Sequence, residues 1–270
     1  MSSLLGMHPG SAGAAALAHL SHGGKRIRAR LGLDAAHKLG LGTLAAVGIG
    51  AASELLHNAS LVHDDIQDGS EIRRGRATVW RNHGRDVAIC SGDLMISAAF
   101  GALASSKSAF LGEALSRMHH RISEVIHGQI SDLTAKGGME NTLACYSQIA
   151  AAKSAPLIAL PIELALIMAG LADHVPKAEQ SAVAFAIAYQ AADDIEDVDE
   201  DVAHGSVNVV AMFEAEMSRQ AAVCAARILV TESYRLAAER ASSLPGRCGE
   251  LLCAIASDCA TQAQRMTVSA

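Results

Sequence analysis

The sequence predicts an all-α fold, a helical bundle that forms a single domain over residues 1–270. Half of the residues are hydrophobic but only 3% are aromatic, so most of the apolar bulk comes from residues that favour helices. Five prolines in 270 residues leave room for long uninterrupted helices. No segment sustains the alternation of apolar and polar residues that indicates a half-buried strand.

The helices are predicted in order from apolar spacing and from the breaks between apolar segments. Residues 1–20 are small, polar and poorly patterned, which is typical of a frayed terminus. Apolar residues then recur at intervals of three and four, most clearly over residues 43–65 and 180–197. Both segments are apolar on nearly all faces up to their acidic ends, as expected for helices in the middle of a bundle. Breaks rich in glycine predict eight to ten helices and no linker between domains.

Composition excludes several classes of function. The net charge of −6 and pI near 6.0 argue against a nucleic-acid-binding protein. Six scattered cysteines without a CxxC pair, in a chain without a signal peptide, indicate reduced thiols and a cytoplasmic protein. Residues 154–172 come closest to a membrane span, but Glu163 and two prolines favour a buried core helix, so no span is predicted.

Two acidic clusters of identical spacing carry the strongest chemical signal. Asp64, Asp65 and Asp68 end one long apolar helix, and the same spacing returns at the end of another, at Asp193, Asp194 and Asp197. Residues at i and i+4 share a helix face, and the helix macrodipole disfavours carboxylates at a C-terminal end. Two such clusters facing each other would form an oxygen-rich site suited to Mg²⁺, which binds through carboxylates and substrate phosphates. The alternative is a pair of solvated helix ends.

Basic residues follow or precede the first cluster and favour the metal hypothesis. Lys25, Arg26 and Arg28 occur in "GGKRIRAR", and Arg73 and Arg74 in "RRG". Guanidinium and ammonium groups are the donors that phosphates prefer. Metal and basic residues together stabilise a departing diphosphate.

These motifs make the chain similar to the trans-isoprenyl diphosphate synthases, the polyprenyl synthetase family. The resemblance runs from about residue 23 to residue 200, and together the motifs are highly specific. In order they are "GGKRIR" (23–28), "ELLHNASLVHDDIQDGSEIRRG" (54–75), "GQISDL" (128–133), "KSAPL" (153–157) and "YQAADDIED" (189–197).

The resemblance implies an isoprenoid-synthase-type helix bundle around a deep central cavity, usually in a homodimer. It implies a prenyltransferase that adds isopentenyl diphosphate to an allylic diphosphate and yields an all-trans polyprenyl diphosphate. Three Mg²⁺ ions, for which Mn²⁺ is an expected substitute, would assist ionisation of the allylic substrate. Condensation and proton loss would follow.

The resemblance also assigns individual residues. The metal ligands would be Asp64, Asp65, Asp68, Asp193 and Asp197. The isopentenyl diphosphate would be held by Lys25, Arg28, His57 and Arg74. The allylic diphosphate would be held by Arg73, Lys153, Ser154 and Gln190, of which Arg73 and Lys153 join the aspartates as catalytic residues. Gln129 and Asp132 would line the cavity.

Spacing supports two of these assignments independently. His57 lies seven residues before Asp64, two turns away on one helix face, and Gln190 lies three before Asp193. One departure from the family stands beside them. The family normally has lysines just after the second aspartate motif, but no lysine follows Lys177 here.

Product length is predicted from the residues one turn before the first aspartates. Ala59 and Ser60 are both small, so they would not stop a growing chain at fifteen carbons. The expected product therefore has twenty carbons or more, as from a geranylgeranyl diphosphate synthase. Phe100, Phe110, Met95 and Met118 are candidates for a plug from another helix.

Three other functions stay open at this point. A class I terpene synthase would use a similar metal site on one diphosphate, although eight aromatic residues offer few ring faces to steer carbocations. A prenyltransferase with a different acceptor is compatible with the altered segment after Asp201. A weakly active subunit that modulates a heteromeric synthase would be expected to have broken motifs, and both acidic clusters are intact.

Overall fold

The prediction of an all-α protein is confirmed by the computed structural model, which describes residues 2–6, 11–21, 23–134 and 142–268. Nine of its helices have ten residues or more, within the predicted eight to ten, and short helices join them. The helices are α1 Ser2–Leu5, α2 Ala12–Ser21, α3 Ile27–Lys38, α4 Thr43–Gln67, α5 Val79–His83, α6 Arg85–Ala104, α7 Leu111–Thr134, α8 Leu143–Met168, α9 Val175–Glu196, α10 Val198–His204, α11 Val209–Glu214, α12 Arg219–Ser242 and α13 Glu250–Val268. Two 3₁₀ turns lie at Ala172–His174 and Pro245–Arg247.

The chain packs as two compact units. The first contains Met1–Arg117 with Leu164–Gly170, and the second contains Met118–Glu163 with Leu171–Ala270. Each acidic cluster belongs to a different unit. The prediction of one domain over the whole chain stays a prediction.

In the first unit, α4 is the central helix and small residues let its neighbours approach it. A Cβ on Gly32 of α3 would lie 2.9 Å from Ile49 Cγ2, and one on Gly48 would lie 2.9 Å from the Ala102 carbonyl oxygen of α6. Alanine and glycine therefore let the helices of this core pack closely against one another. The sequence analysis predicted a frayed terminus over residues 1–20. Residues 12–20 instead form most of α2, in which alanine favours helix and Ala16 is completely buried.

A two-stranded hairpin follows α4, which the sequence did not predict. Strand β1 (Ile72–Arg73) pairs antiparallel with β2 (Arg76–Ala77). The turn residues Arg74 and Gly75 have φ angles of 52° and 72°. Two positive φ angles at the turn are the signature of a type I′ hairpin, which brings two short strands together without a long alternating pattern.

In the second unit, α8 continues through Pro156 and Pro161. Pro156 has no N–H for the carbonyl of Ala152, four residues before it. Gly128 of α7 packs at this carbonyl, where a Cβ would lie only 2.9 Å from the oxygen. The proline and the glycine thus allow α7 and α8 to touch at the level of two predicted motifs, "GQ" and "KS".

A buried ion-pair network ties α7, α8 and α9 together in the same unit. Arg121 is 3% exposed and Glu163 is fully buried, and the guanidinium donates from Nε at 2.9 Å and from Nη2 at 2.5 Å to the two carboxylate oxygens. Glu124 and Glu179 also contact the guanidinium. Burial alone would lower the pKa of Arg121, but these carboxylates, Glu163 foremost, raise it, so the guanidinium stays charged.

Two helices in the described residues are long and apolar enough to cross a membrane by length and composition. These are α6, whose apolar window is 44% buried, and α8, whose window is 78% buried. The core helix of a soluble protein passes the same test, and the burial of α8 agrees with the core helix predicted for residues 154–172.

We predict that removing one partner of the Arg121–Glu163 pair destabilises the protein strongly. Arg121→Met should lower the free energy of unfolding by about 3–5 kcal/mol, because it leaves the buried Glu163 carboxylate without its guanidinium. The double variant Arg121→Met/Glu163→Leu should recover most of this loss. Urea unfolding followed by circular dichroism measures both.

Glu232→Gln is the matched control, since Glu232 pairs with Arg235 on the exposed face of α12. This change should cost less than about 1 kcal/mol. Equal losses for the exposed pair and the buried pair would contradict the prediction.

Candidate active site

The first acidic cluster divides its three carboxylates between the interior and the surface. Asp64 is half-buried and Asp68 is exposed at the end of α4, whereas Asp65 is only 1% exposed. Arg73 on β1 donates from Nε to Asp65 Oδ1 at 2.6 Å. Burial raises the pKa of Asp65, and the bond from Arg73 opposes that rise. The hairpin after α4 is therefore fastened to the middle aspartate.

A cluster of positive charge surrounds His57, two turns before the aspartates on α4. Burial, followed by the charges of Arg28, Arg74 and Arg73, lowers the pKa of His57 to about 2. The imidazole is therefore neutral at physiological pH, and it can donate one N–H while the three guanidiniums supply the charge. Three guanidinium groups that act on one neutral imidazole are suited to a diphosphate.

The turn conformation of Arg74 joins the two basic motifs. Its Nη1 donates to the Gly23 carbonyl oxygen at 2.8 Å. Gly24 has φ of +121°, and a Cβ there would lie 2.6 Å from Arg74 Nη1, so only glycine fits. "GGKRIR" and "RRG" are thus parts of one site. His19 and Thr78 line a small pocket beside Arg73 and Arg74.

Glu54 on α4 holds the first turn of α3, which carries part of the basic segment. It is 6% exposed on α4, and its Oε2 accepts from the backbone N–H of Ala29 in the first turn of α3 at 3.2 Å. Asn58 Nδ2 donates to Glu54 Oε1 at 3.2 Å and to the Glu54 carbonyl at 2.8 Å. A carboxylate at the start of a helix complements the macrodipole, and here it places Arg28 near His57.

The second acidic cluster contains the same arrangement without an arginine. Asp193 and Asp197 are exposed, and Asp194 is 1% exposed. Partial desolvation, followed by the charges of Asp197, Asp194, Asp201 and Glu196, raises the pKa of Asp193. The charges that act most strongly on this carboxylate are all negative, so the cluster would attract a cation.

Asp194 is satisfied by neutral donors instead. Gln190 Nε2 donates to its Oδ1 at 2.8 Å, and the Val209 backbone N–H donates to its Oδ2 at 2.8 Å. Burial raises the pKa of Asp194, and these two bonds lower it. Burial, followed by the charge of Asp194, raises the pKa of Tyr146 on α8. Through its hydrogen bonds Asp194 joins α9 to the start of α11.

The other predicted residues of this unit lie on α7 and α8. Lys153 is exposed, Ser154 and Gln129 are half-buried, and Lys153 follows Tyr146 by two turns on one helix face. The side chain of Asp132 lies outside the described residues. In the first unit, Lys25 is exposed in the loop before α3.

The donor set fits a divalent cation that substrate phosphates complete. Asp65 Oδ2 is buried and has no hydrogen-bond partner among the described residues, and Asp193 is surrounded by negative charge. Within the parts of the chain that the structure describes, no three His, Cys, Asp or Glu side chains converge into a metal cage. Magnesium does not require one, since it commonly binds one or two carboxylates and substrate oxygens. The assignment of individual ligands stays a prediction.

The structure brings two sets of the predicted residues together. It brings Arg28, His57 and Arg74 together, and it places Gln190 against the second cluster. Ala59 is buried, and Ser60 Oγ donates to the His57 carbonyl at 2.9 Å. Glu54, Tyr146 and Asn208 were not predicted as site residues, and Asp194 was predicted only as a member of the second acidic cluster. Asn208 had a detectable signal, an asparagine directly before an apolar helix.

We predict that His57 makes stability depend on pH. The unfolded chain binds a proton at His57 near pH 6.5, whereas the folded chain does so only near pH 2. Below pH 6.5 the unfolded state therefore holds more protons, and the free energy of unfolding falls by about 1.4 kcal/mol per pH unit from this group. Urea unfolding between about pH 6 and pH 4 should show this extra slope in the wild type and not in His57→Gln.

His37→Gln is the control for that series, because His37 is exposed on α3. It should leave the wild-type slope in place. A slope that survives in His57→Gln would assign it to another group.

Comparison with known proteins identifies the family. A family profile described as "Polyprenyl synthetase" matches residues 12–207. The chain is 34% identical over 181 residues to the short chain isoprenyl diphosphate synthase of Methanothermobacter thermautotrophicus, covering 66% of this chain and 56% of that protein. It is 34% identical over 174 residues to the geranylgeranyl diphosphate synthase of Mycobacterium tuberculosis, covering 64% and 50%. The chain thus spans about half the length of the curated relatives it matches.

Solved structures share the fold over nearly the whole chain. The geranylgeranyl pyrophosphate synthetase of the archaeon Geoglobus acetivorans matches with a TM-score of 0.82 and 24% identity, covering 96% of this chain and 94% of that one. The polyprenyl synthase of Caulobacter crescentus, complexed with calcium and isoprenyl diphosphate, matches with a TM-score of 0.78 and 22% identity over 92% and 88%. Because a family profile matches most of its residues, the chain belongs to the polyprenyl synthetase family.

Proposed function

We propose that this protein is a prenyltransferase that condenses isopentenyl diphosphate with an allylic diphosphate. The observation that carries the proposal is the cluster of Arg28, Arg73 and Arg74 around a neutral His57, in the unit that also holds Asp64 and Asp68. A diphosphate site of this kind beside carboxylates for metal provides for two anionic substrates. Membership of the family supports the same reaction.

Each group of residues has a role in that reaction. A divalent metal, expected to be Mg²⁺ with three ions per site, supplies positive charge to the diphosphate that leaves the allylic substrate. Asp64, Asp65 and Asp68 would hold metal in the first unit, and Asp193 and Asp197 would hold metal in the second. Arg28, His57 and Arg74 bind the diphosphate of the isopentenyl substrate and orient its double bond. Arg73, Lys153, Ser154 and Gln190 bind the allylic diphosphate.

The bonds change in a fixed order. The allylic carbon–oxygen bond breaks, and its electron pair leaves with the diphosphate. The isopentenyl double bond then attacks the allylic carbon to form the new carbon–carbon bond. Loss of one proton restores a double bond, and the basic residues hold both diphosphates throughout.

The second candidate is a catalyst that uses only one diphosphate, a class I terpene synthase. The basic cluster around His57 disfavours it, because a cyclase has no need of a second diphosphate site. A prenyltransferase with another acceptor and a modulating subunit are the further alternatives.

The assembly is expected to be a homodimer in the cytoplasm.

The product is proposed to have twenty carbons or more. Relatives of the chain carry names from farnesyl to octaprenyl and nonaprenyl diphosphate synthase, so family membership alone does not set length. The small side chains of Ala59 and Ser60 are the feature of this chain that supports the longer products. Neither can close a cavity one turn before the aspartates.

We predict elongation only when both substrates are present. Purified protein with Mg²⁺ and dimethylallyl, geranyl or farnesyl diphosphate should give longer prenyl diphosphates only after isopentenyl diphosphate is added. Asp64→Asn and Asp193→Asn should each lower the rate about a hundredfold or more, because each removes charge that holds metal against the leaving group. Radiolabelled products separated by chromatography report both results.

Asp86→Asn is the matched control, since Asp86 is an exposed carboxylate at the start of α6 in the first unit. Its rate should equal that of the wild type. A hydrocarbon formed from the allylic substrate alone would establish the cyclase instead. No product from any pair of substrates would favour the modulating subunit.

We also predict that product length responds to side-chain size below the aspartates. Ala59→Phe or Ser60→Phe should shift the product toward fifteen carbons, because a ring would fill the space into which the chain grows. Product length is read by chromatography after phosphatase treatment, and circular dichroism checks that each variant folds. An unchanged product from two folded variants would place the floor on another helix.

A further inference from the structure

The segment after the second acidic cluster is fastened to that cluster by one buried asparagine. Asn208 is 2% exposed, and its Nδ2 donates to the Asp194 carbonyl oxygen and to Asp201 Oδ2, both at 2.8 Å. Its Oδ1 accepts from the backbone N–H groups of Val210 and Ala211 at 2.9 and 3.3 Å. Both donors and both acceptor positions of the carboxamide are used.

These bonds connect three helices at one point. Asp194 belongs to α9, Asp201 belongs to α10, and Asn208 is the N-cap of α11. The adjacent Val209 N–H donates to Asp194 Oδ2, whose other oxygen accepts from Gln190. A continuous chain of hydrogen bonds therefore runs from Asn208 through Asp194 to a predicted substrate-binding residue.

The bond to Asp201 has an electrostatic consequence. The Asp201 carboxylate is one of the charges that act on Asp193. Asn208 holds this carboxylate toward the cluster rather than toward solvent. Within this segment Asp199 is paired with Arg219 at 2.9 Å, whereas Asp201 acts on Asp193. Asp201 therefore adds negative charge to the cluster, and Asn208 fixes its position.

We propose that Asn208 is a positioning residue that holds Asp201 and the start of α11 against the second acidic cluster, and so strengthens the binding of divalent metal there. The inference rests on the proposed function, because it assigns metal to Asp193 and Asp197. Groups that orient the ligands of a metal site commonly change metal affinity by an order of magnitude. Asn208 acts through Asp194 and Asp201 and touches no substrate.

The first test separates this role from simple helix capping. Asn208→Ser keeps a capping oxygen for α11 but is too short to bridge Asp194 and Asp201. Ser218→Ala is the matched control, because Ser218 caps α12 by accepting from the backbone N–H of Ala221 and bonds neither aspartate within the described part of the chain. Thermal unfolding is measured with inorganic diphosphate and increasing MgCl₂, which requires no turnover.

We expect the MgCl₂ concentration for half-maximal stabilisation to rise about tenfold in Asn208→Ser and to stay at the wild-type value in Ser218→Ala. The KM for the allylic diphosphate should rise in Asn208→Ser. The KM for isopentenyl diphosphate should not, because Arg28, His57 and Arg74 are unchanged. An Asn208→Ser protein with the wild-type Mg²⁺ requirement would overturn the proposal and leave Asn208 as a helix cap.

A double-variant cycle tests the partner. Asp201→Asn should also raise the MgCl₂ concentration for half-maximal stabilisation. Adding Asn208→Ser to Asp201→Asn should have little further effect, because both changes remove the same interaction. Fully additive effects would show that Asn208 does not act through Asp201. If the wild type elongates prenyl chains while Asn208→Ser matches it in Mg²⁺ requirement, this inference alone fails. If the wild type is inactive and unaffected by Mg²⁺ with diphosphate, the proposed function fails with it.

Discussion

Carboxylates at the C-terminal ends of two apolar helices are the constraint on which the rest of this structure depends. The macrodipole of α4 and of α9 disfavours negative charge at the end where Asp64–Asp68 and Asp193–Asp197 stand. Mutual repulsion and partial burial add to that cost, as the raised pKa values of Asp65 and Asp193 show. The buried middle aspartate of each cluster therefore requires hydrogen-bond donors close by.

The two clusters meet this requirement in different ways. At the first, Arg73 reaches Asp65 from a type I′ hairpin, and Arg74 in the same turn joins the basic segment before α3. At the second, the donors are an amide and a backbone N–H, and the surrounding charges are negative. A neutral donor satisfies geometry but compensates little charge. The contacts of Asp194 therefore compensate less negative charge than the contact of Arg73 does at Asp65.

The sequence predicted the helices and the clusters of charged residues, but not the contacts that position these residues. Apolar spacing was sufficient for α4 and α9, because each helix is a local pattern. Glu54 binds Ala29 across 25 residues, and Arg74 binds Gly23 across 51, so no local pattern reveals either bond. The hairpin depends on positive φ angles at Arg74 and Gly75. Its strands of two residues are too short to show the alternating pattern from which a strand is predicted. Metal binding by the aspartates is inferred from the chemistry of carboxylates, not from a contact in the structure.

The spacing i, i+1, i+4 explains why each cluster needs three aspartates. On a helix, the first and last share one face and the middle one is turned by about 100° to the side. In both clusters the outer pair is more accessible, and the middle residue is 1% exposed. Asp65 fastens the hairpin through Arg73, and Asp194 fastens the start of α11 through Val209. Each cluster thus combines two carboxylates that can face a cation with one that anchors the segment following the helix.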